Sequence, residues 1–305
     1  MDLDLSDDQV ALRDGIASML AARVPMDRVR SGFDRALAAE LADAGVFTLR
    51  RDGFAWADAV VVFEQLGRAC VPGPLVDSTL LGDGRSACLV SDQEPIWIEC
   101  LDAVDVLVVW RAAGLECVVP GAVTADTSPW PLDPATPMAR ARSLPAGVPL
   151  DLGRDIRELV VAGAALTAAY QLGLADRVAE MAVAYARERV QFDRPIGSFQ
   201  AIKHICADML VRTEVARAAV YAAGAHLDER ATLPGVERSV NGAKLLAGEA
   251  AIANGKAATQ VYGGMGYTWE VDVHLYLKRA WLLDTRFGSV DRHAADLADV
   301  VRGRR

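Results

Sequence analysis

The sequence predicts a mainly α protein with a small β unit: an N-terminal helical domain, a reduced middle β domain and a C-terminal antiparallel four-helix bundle. Three observations carry this prediction. Apolar residues recur at helical spacing up to about residue 70. Short β-branched runs separated by Asp and Gly turns fill about 75–150. Four long Ala- and Leu-rich periodic stretches with short connections follow. The corresponding ranges are 1–74, 75–150 and 151–305.

Taken in order, Ser6 is placed to cap the first helix, "QVALRDGIASMLAARV", with acidic residues behind it that suit the helix dipole. A second helix covers "DRALAAELADAG" and stops at Gly45; a third, "WADAVVVFEQLGRAC", runs toward Pro72. "EPIWIEC", "DVLVVWRA" and "LECVVPG" read as strands. "TSPWPLDPATP" holds four prolines in eleven residues and must be irregular. The bundle helices are "IRELVVAGAALTAAYQLGLADRVAEMAVAYARER", "FQAIKHICADMLVRTEVARAAVYAAGAHLDE" and "GVERSVNGAKLLAGEAAIANGKAATQVYG", with "HLYLKRAWLLDTRF" beginning the fourth.

Composition narrows the function classes. With 52% hydrophobic and 24% charged residues in 305, a large core is affordable. A net charge of -9 and a pI near 5.0 argue against a nucleic-acid or anionic-membrane surface. The opening "MDLDLSDDQVALRDGI" lacks a basic n-region and an apolar h-region, so no secretory signal is expected. No uninterrupted run of about 18 apolar residues predicts membrane insertion. Five cysteines without CxxC spacing point to a reduced, cytoplasmic protein without a zinc site, and the four histidines form no metal-binding pair.

Two polar, glycine-bearing breaks interrupt the bundle: "RERVQFDRPIGSFQAIKH" (187–204) and "QVYGGMGYTWE" (260–270). With "LSDDQVALRDGI" and "FEQLGRACVPGPL", they resemble the acyl-CoA dehydrogenase family. The first matches that family's "R-x-x-F-G-x-x-I-x-x-x-Q" stretch and the second its "Q-x-x-G-G-x-G-[YF]-x-x-E" motif. The resemblance implies an FAD enzyme that oxidises an acyl-CoA thioester to the 2,3-enoyl-CoA: a carboxylate removes the α proton, and the β hydride leaves for the flavin. It implies that Arg189, Gln191 and Phe192 touch the FAD of a neighbouring subunit, and that Gln260, Gly263 and Gly264 do so from the other side. Physically, Arg189 offers a permanently charged fork to a pyrophosphate, the glutamines offer amides, and the glycines let backbone come close. The alternative for Arg189 is a helix-end residue bonded to its own helix carbonyls.

The resemblance also exposes gaps. In many members the catalytic glutamate lies twenty residues beyond the aromatic of the glycine motif. Counting from Tyr267 reaches Phe287, which cannot accept a proton. Asp284 and Asp291 nearby read as helix-surface charges. A minority of members place the base on the first bundle helix, where Arg157 aligns and Glu158 is its neighbour, about 100° around the helix. The family's "T-E-P-x-A-G-S-D" loop and "W-I-T-N" strand are absent between Leu75 and Leu150. This pattern resembles the base-less subunit of actinobacterial heteromeric (α2β2) acyl-CoA dehydrogenases, notably those of steroid side-chain degradation. It implies a subunit that completes the FAD site of a catalytic partner. Two alternatives stay open: a self-sufficient dehydrogenase using Glu158 as base, and a non-redox scaffold of the same fold.

Overall fold

The computed structural model describes residues 3–229 and 233–302. Met1 and Asp2, which open the stretch read for a targeting signal, and the last three residues of the bundle range lie outside the described residues.

The N-terminal helices begin where their caps dictate. Ser6 closes a capping box on α1 (Asp7–Arg23): its hydroxyl accepts from the Gln9 N–H at 3.2 Å, and the Gln9 side chain accepts from the Ser6 N–H at 3.1 Å. After α2 (Met26–Ser31), Asp34 caps α3 (Arg35–Asp43) by accepting from the Leu37 N–H at 2.7 Å. The chain leaves α3 through Gly45 in a left-handed conformation, as its sequence suggests. Next come α4 (Trp56–Arg68) and α5 (Leu75–Leu81). Seven short strands follow: β1 (Ala87–Ser91), β2 (Ile96–Glu99), β3 (Val106–Arg111), β4 (Gly114–Val118), β5 (Ala125–Thr127), β6 (Met138–Ala141) and β7 (Val148–Leu150). Then α6 (Ile156–Glu188) leads into a hairpin of β8 (Val190–Gln191) and β9 (Arg194–Pro195). The chain ends with α7 (Gln200–Asp228), α8 (Leu233–Tyr262), α9 (Val273–Asp284) and α10 (Val290–Val301).

Two compact units result, each assembled from separated segments. One comprises residues 27–55 and 71–163. It holds a four-stranded sheet ordered β1–β3–β4–β7, with β1 and β3 parallel and the other pairs antiparallel, and an antiparallel three-stranded sheet ordered β2–β6–β5. Leu81, Ala87, Val106 and Val108 form a buried cluster, against which Leu89, Leu115, Cys117, Leu150 and Leu152 pack. The proline-rich segment between β5 and β6 carries no regular structure.

The other unit comprises residues 1–26, 56–70 and 164–305. Here α4 and α6 cross with backbones touching: a Cβ on Gly67 would lie 2.0 Å from the Tyr170 carbonyl oxygen, and one on Gly173 would lie 2.0 Å from that of Glu64. Ion pairs flank the crossing. Arg68 binds Asp176 and Glu180, while the buried Glu64 carboxylate accepts from Arg217 and, at 2.6 Å, from the Tyr221 hydroxyl. Asn254, fully buried on α8, donates to the carbonyls of Ala175 at 3.2 Å and Met209 at 3.0 Å, and accepts from Arg212 at 2.9 Å. One amide thereby ties α6, α7 and α8 together and leaves no buried polar atom of its own unsatisfied. A window of α6 is long and apolar enough to cross a membrane, but 89% of it is buried.

The fourth bundle helix departs from expectation, because it is two helices. After the break at 285–289, two side chains cap the start of α10: the Asp284 carboxylate accepts from the Val290 N–H at 3.0 Å, and the Ser289 hydroxyl accepts from the Arg292 N–H at 3.2 Å. Asp284 is therefore a half-buried capping residue, and the expectation of a surface charge is corrected. Asp291 is exposed in the first turn of α10.

Candidate functional site

The two polar breaks meet at one end of the helical unit. Tyr185, in the last turn of α6, stacks on Tyr262, the last residue of α8, with ring centroids 4.0 Å apart and planes 12° apart. The Tyr185 hydroxyl reaches the Met265 sulfur at 3.7 Å, and the Tyr262 hydroxyl donates to the Met181 carbonyl at 3.4 Å. These contacts tie the exits of α6 and α8 together, so Arg189 and Gln260 leave adjacent helix ends. Sequence reasoning missed the tyrosine pair. Its only trace in the chain is an aromatic four residues before Arg189 and another two residues after Gln260.

Beyond α6 the chain doubles back at once. The Ile196 N–H donates to the Arg189 carbonyl at 2.8 Å, closing the β8–β9 hairpin. Its two turn residues, Phe192 and Asp193, have φ of 53° and 62°. Two positive φ values are what a tight two-residue hairpin requires; aspartate tolerates them, and phenylalanine resists them. The family pattern has glycine at the position of Asp193; the carboxylate there is a departure that the sequence reading passed over. Phe192 is 85% exposed and meets Phe199 only edge-on at 6.0 Å, while the Arg194 guanidinium covers the Phe199 ring at 4.2 Å. A bulky apolar group is thus held out of the core on a strained turn, a placement packing does not explain.

The polar groups of the site are free to meet a ligand. Among the described residues, the exposed guanidinium of Arg189 has no ion pair or hydrogen bond, so the alternative of a helix-end residue bonded to α6 carbonyls is not realised. Gln191 uses one amide hydrogen on its neighbour's carbonyl, Val190, at 2.8 Å. The Gln260 side chain is exposed and likewise has no partner among the described residues. Gly263 has φ of 62° and ends α8, but Gly264 has an ordinary φ and no atom near its missing Cβ. Neither the backbone nor the packing requires glycine at 264. An open, side-chain-free strip of backbone beside unspent donors fits the phosphate end of a dinucleotide.

Phe287 stands in the break between α9 and α10, with φ of 53°, followed by Gly288 at 102°. The Phe287 carbonyl is held by His293, whose Nε2 lies 3.0 Å away. His293 escaped the sequence reading, because nothing in the chain links it to the turn before the fold does. Glu158 sits exposed in the first turn of α6, in the stretch that belongs to the β-containing unit, beside exposed Arg157. The cofactor-contact candidates all lie in the helical unit.

A cavity of about 600 Å³ in the helical unit is lined by Glu64, Arg68, Asp176, Arg217 and Tyr221. These residues satisfy one another as described above, which makes the cavity wall a structural network.

Comparison with known proteins follows the same outline. The sequence profile of the acyl-CoA dehydrogenase C-terminal domain matches residues 155–301. The chain is 33% identical over 298 residues to the acyl-CoA dehydrogenase IpdE2 of Mycolicibacterium smegmatis, covering 90% of this chain and 93% of that protein. Its fold is similar to a chain in the ChsE4–ChsE5 complex from Mycobacterium tuberculosis, with a TM-score of 0.79 at 21% identity over 99% of this chain and 98% of that one. It is similar also to a steroid acyl-CoA dehydrogenase, the Tcur3481–Tcur3483 G363A variant, with a TM-score of 0.80 at 18% identity over 97% and 98% of the two chains. A match at one third identity that runs nearly end to end in both sequences leaves no large part of either unaccounted for, and the chain belongs to the acyl-CoA dehydrogenase family.

Proposed function

We propose that this chain is a subunit of an FAD-dependent acyl-CoA dehydrogenase that completes the FAD site of a catalytic partner. The observation that carries this reading is a pairing within one unit: free donors on an open backbone strip at one end, and phenylalanine where the proton acceptor belongs. Arg189, Gln191 and Gln260 would hold the dinucleotide phosphates, with the Gly263–Gly264 backbone beside them and Phe192 against the adenine end. Bound FAD supplies the hydride-accepting chemistry of the desaturation. The chain's own residues bind and orient; the carboxylate that removes the α proton comes from the partner, because Phe287 offers none. The resemblance to heteromeric members of the family supports an α2β2 tetramer with half the usual number of active sites.

The substrate class we infer is an acyl-CoA thioester, with a steroid side-chain ester favoured by the likeness to a steroid acyl-CoA dehydrogenase. The test is co-expression with acyl-CoA-dehydrogenase-like genomic neighbours. Flavin retained only in a mixed complex supports the reading; a yellow, active homo-oligomer of this chain alone refutes it. A mixed complex that forms but takes up no FAD at saturation supports the scaffold alternative instead.

A further inference from the structure

The break between α9 and α10 is held by more than its two caps. Phe287 and Gly288 are successive left-handed residues, an arrangement that bulky side chains resist. His293, buried on α10, packs against them from below. Its Nε2 lies 3.0 Å from the Phe287 carbonyl oxygen, and a carbonyl only accepts, so Nε2 carries the hydrogen. A Cβ at position 288 would lie 2.6 Å from that same Nε2. Glycine at 288 therefore answers two demands, the positive φ and the approach of the imidazole.

The second ring nitrogen defines the charge state. Nδ1 lies 2.7 Å from the side-chain Oδ1 of Asn241 on α8, so a neutral ring accepting at Nδ1 requires that amide turned to present its nitrogen. Two arrangements satisfy this contact: an imidazolium donating to the amide oxygen, or a neutral ring accepting from the amide nitrogen. Burial first, and then the ammonium of Lys244, hold His293 below the ordinary imidazole range and favour the neutral ring. Lys244, fully buried on α8, donates to the Leu283 carbonyl at 3.3 Å. Of the other charged groups around the ring, Asp296 favours protonation and Arg292 opposes it, both on α10. Asp284 on α9 acts on Lys244 while its carboxylate caps Val290.

We propose that His293 is a positioning residue: through its Nε2–H it clamps the Phe287 carbonyl and fixes the left-handed turn that stands where the family's base would be. Its structural part stands on the geometry of this chain. Only its meaning, a preset acid-free wall at the reaction centre, rests on the proposed function.

The test uses the full-length chain labelled with ¹⁵N-histidine. Long-range proton–nitrogen correlation identifies each tautomer across the range where imidazoles titrate. The histidine signal that disappears in His293→Gln is expected to carry its hydrogen on Nε2 throughout that range. A neutral Nδ1–H form of His293, with no hydrogen on Nε2, overturns the proposal. Amide exchange gives a second readout. Gln can offer a donor near the place of Nε2, so protection of residues 286–290 should persist in His293→Gln. It should fall by about tenfold or more in His293→Leu, with the rest of the bundle unchanged. Equal protection in His293→Leu also overturns it. Should that variant fail to fold, the tautomer of the unmodified chain still decides. Failure of the mixed complex to bind FAD would sink the proposed function and leave these measurements untouched.

Discussion

Arg189→Ala separates a residue kept for a ligand from one kept for the fold. The Arg189 guanidinium is exposed and makes no contact among the described residues, so its loss should change unfolding free energy by no more than about 0.5 kcal/mol. A hydrogen bond from a charged donor to a phosphate contributes about 1.5–3 kcal/mol. Since about 1.4 kcal/mol is tenfold in affinity, the flavin dissociation constant of the mixed complex should rise roughly ten- to a hundredfold. Arg68→Ala is the contrasting variant. Arg68 binds Asp176 and Glu180, and its removal leaves the partly buried Asp176 with less compensation. It should cost roughly 1–3 kcal/mol of stability and leave flavin affinity unchanged. Flavin fluorescence titration of the stripped complex measures the first quantity, and denaturant unfolding of the chain measures the second. Unaltered FAD affinity in Arg189→Ala would refute the role assigned to the β8–β9 hairpin. Unfolding of that variant would refute the premise that the side chain is free.

Three further outcomes follow. Gly67→Ala should lower stability by about 2 kcal/mol or more, because its methyl group would sit 2.0 Å from the Tyr170 carbonyl oxygen; a calorimetric midpoint near the original value would show that α4 and α6 do not touch there. Lys244 is buried, and burial lowers its pKa to about 8, opposed in part by Asp284. Above that pH the unfolded chain binds the extra proton and the folded chain does not, so stability should rise between about pH 8 and about pH 10, by up to roughly 3 kcal/mol. The buried phenols of Tyr221 and Tyr276, pushed upward by burial, then reverse the trend at higher pH. Lys244→Met should abolish the rise in unfolding experiments, and a slope unchanged in that variant would assign the effect elsewhere. Glu158→Gln should leave the rate of flavin reduction in the mixed complex unchanged within about twofold, the size of an ordinary surface substitution; loss of reduction would make Glu158 the base.

The helices were legible because local rules determine them. Ser6 with Gln9 three residues on, Gly45 after a periodic run, and Ala-rich stretches with one apolar face all act within a few residues of chain. β2, β3 and β4 were likewise marked by apolar runs between turn residues, whereas β1, β5, β6 and β7 were not. The break in the last helix was less legible: "HLYLKRAWLLDTRF" was read as the start of one fourth helix, while the left-handed Gly288 and the imidazole packed against it belong to the fold. The α4–α6 crossing at Gly67 and Gly173 was hidden for a similar reason. A glycine within a helix reads as a weak point until a second helix is laid on it. At the candidate site the polar residues were legible as motif members, while the stacked Tyr185 and Tyr262 that join the two motifs were not. Stacking between residues so distant in sequence is a property of the bundle.

A flavin-to-chain count tests the proposed division of labour between two chains. The complex is purified by a tag on this chain after co-expression with its candidate partner. FAD is then quantified by absorbance after release, and both polypeptides by amino-acid analysis. The expected result is one FAD for every two chains, with the partner present in equal amount, and no flavin on this chain purified alone. One FAD per chain on an active oligomer of this chain alone would contradict it.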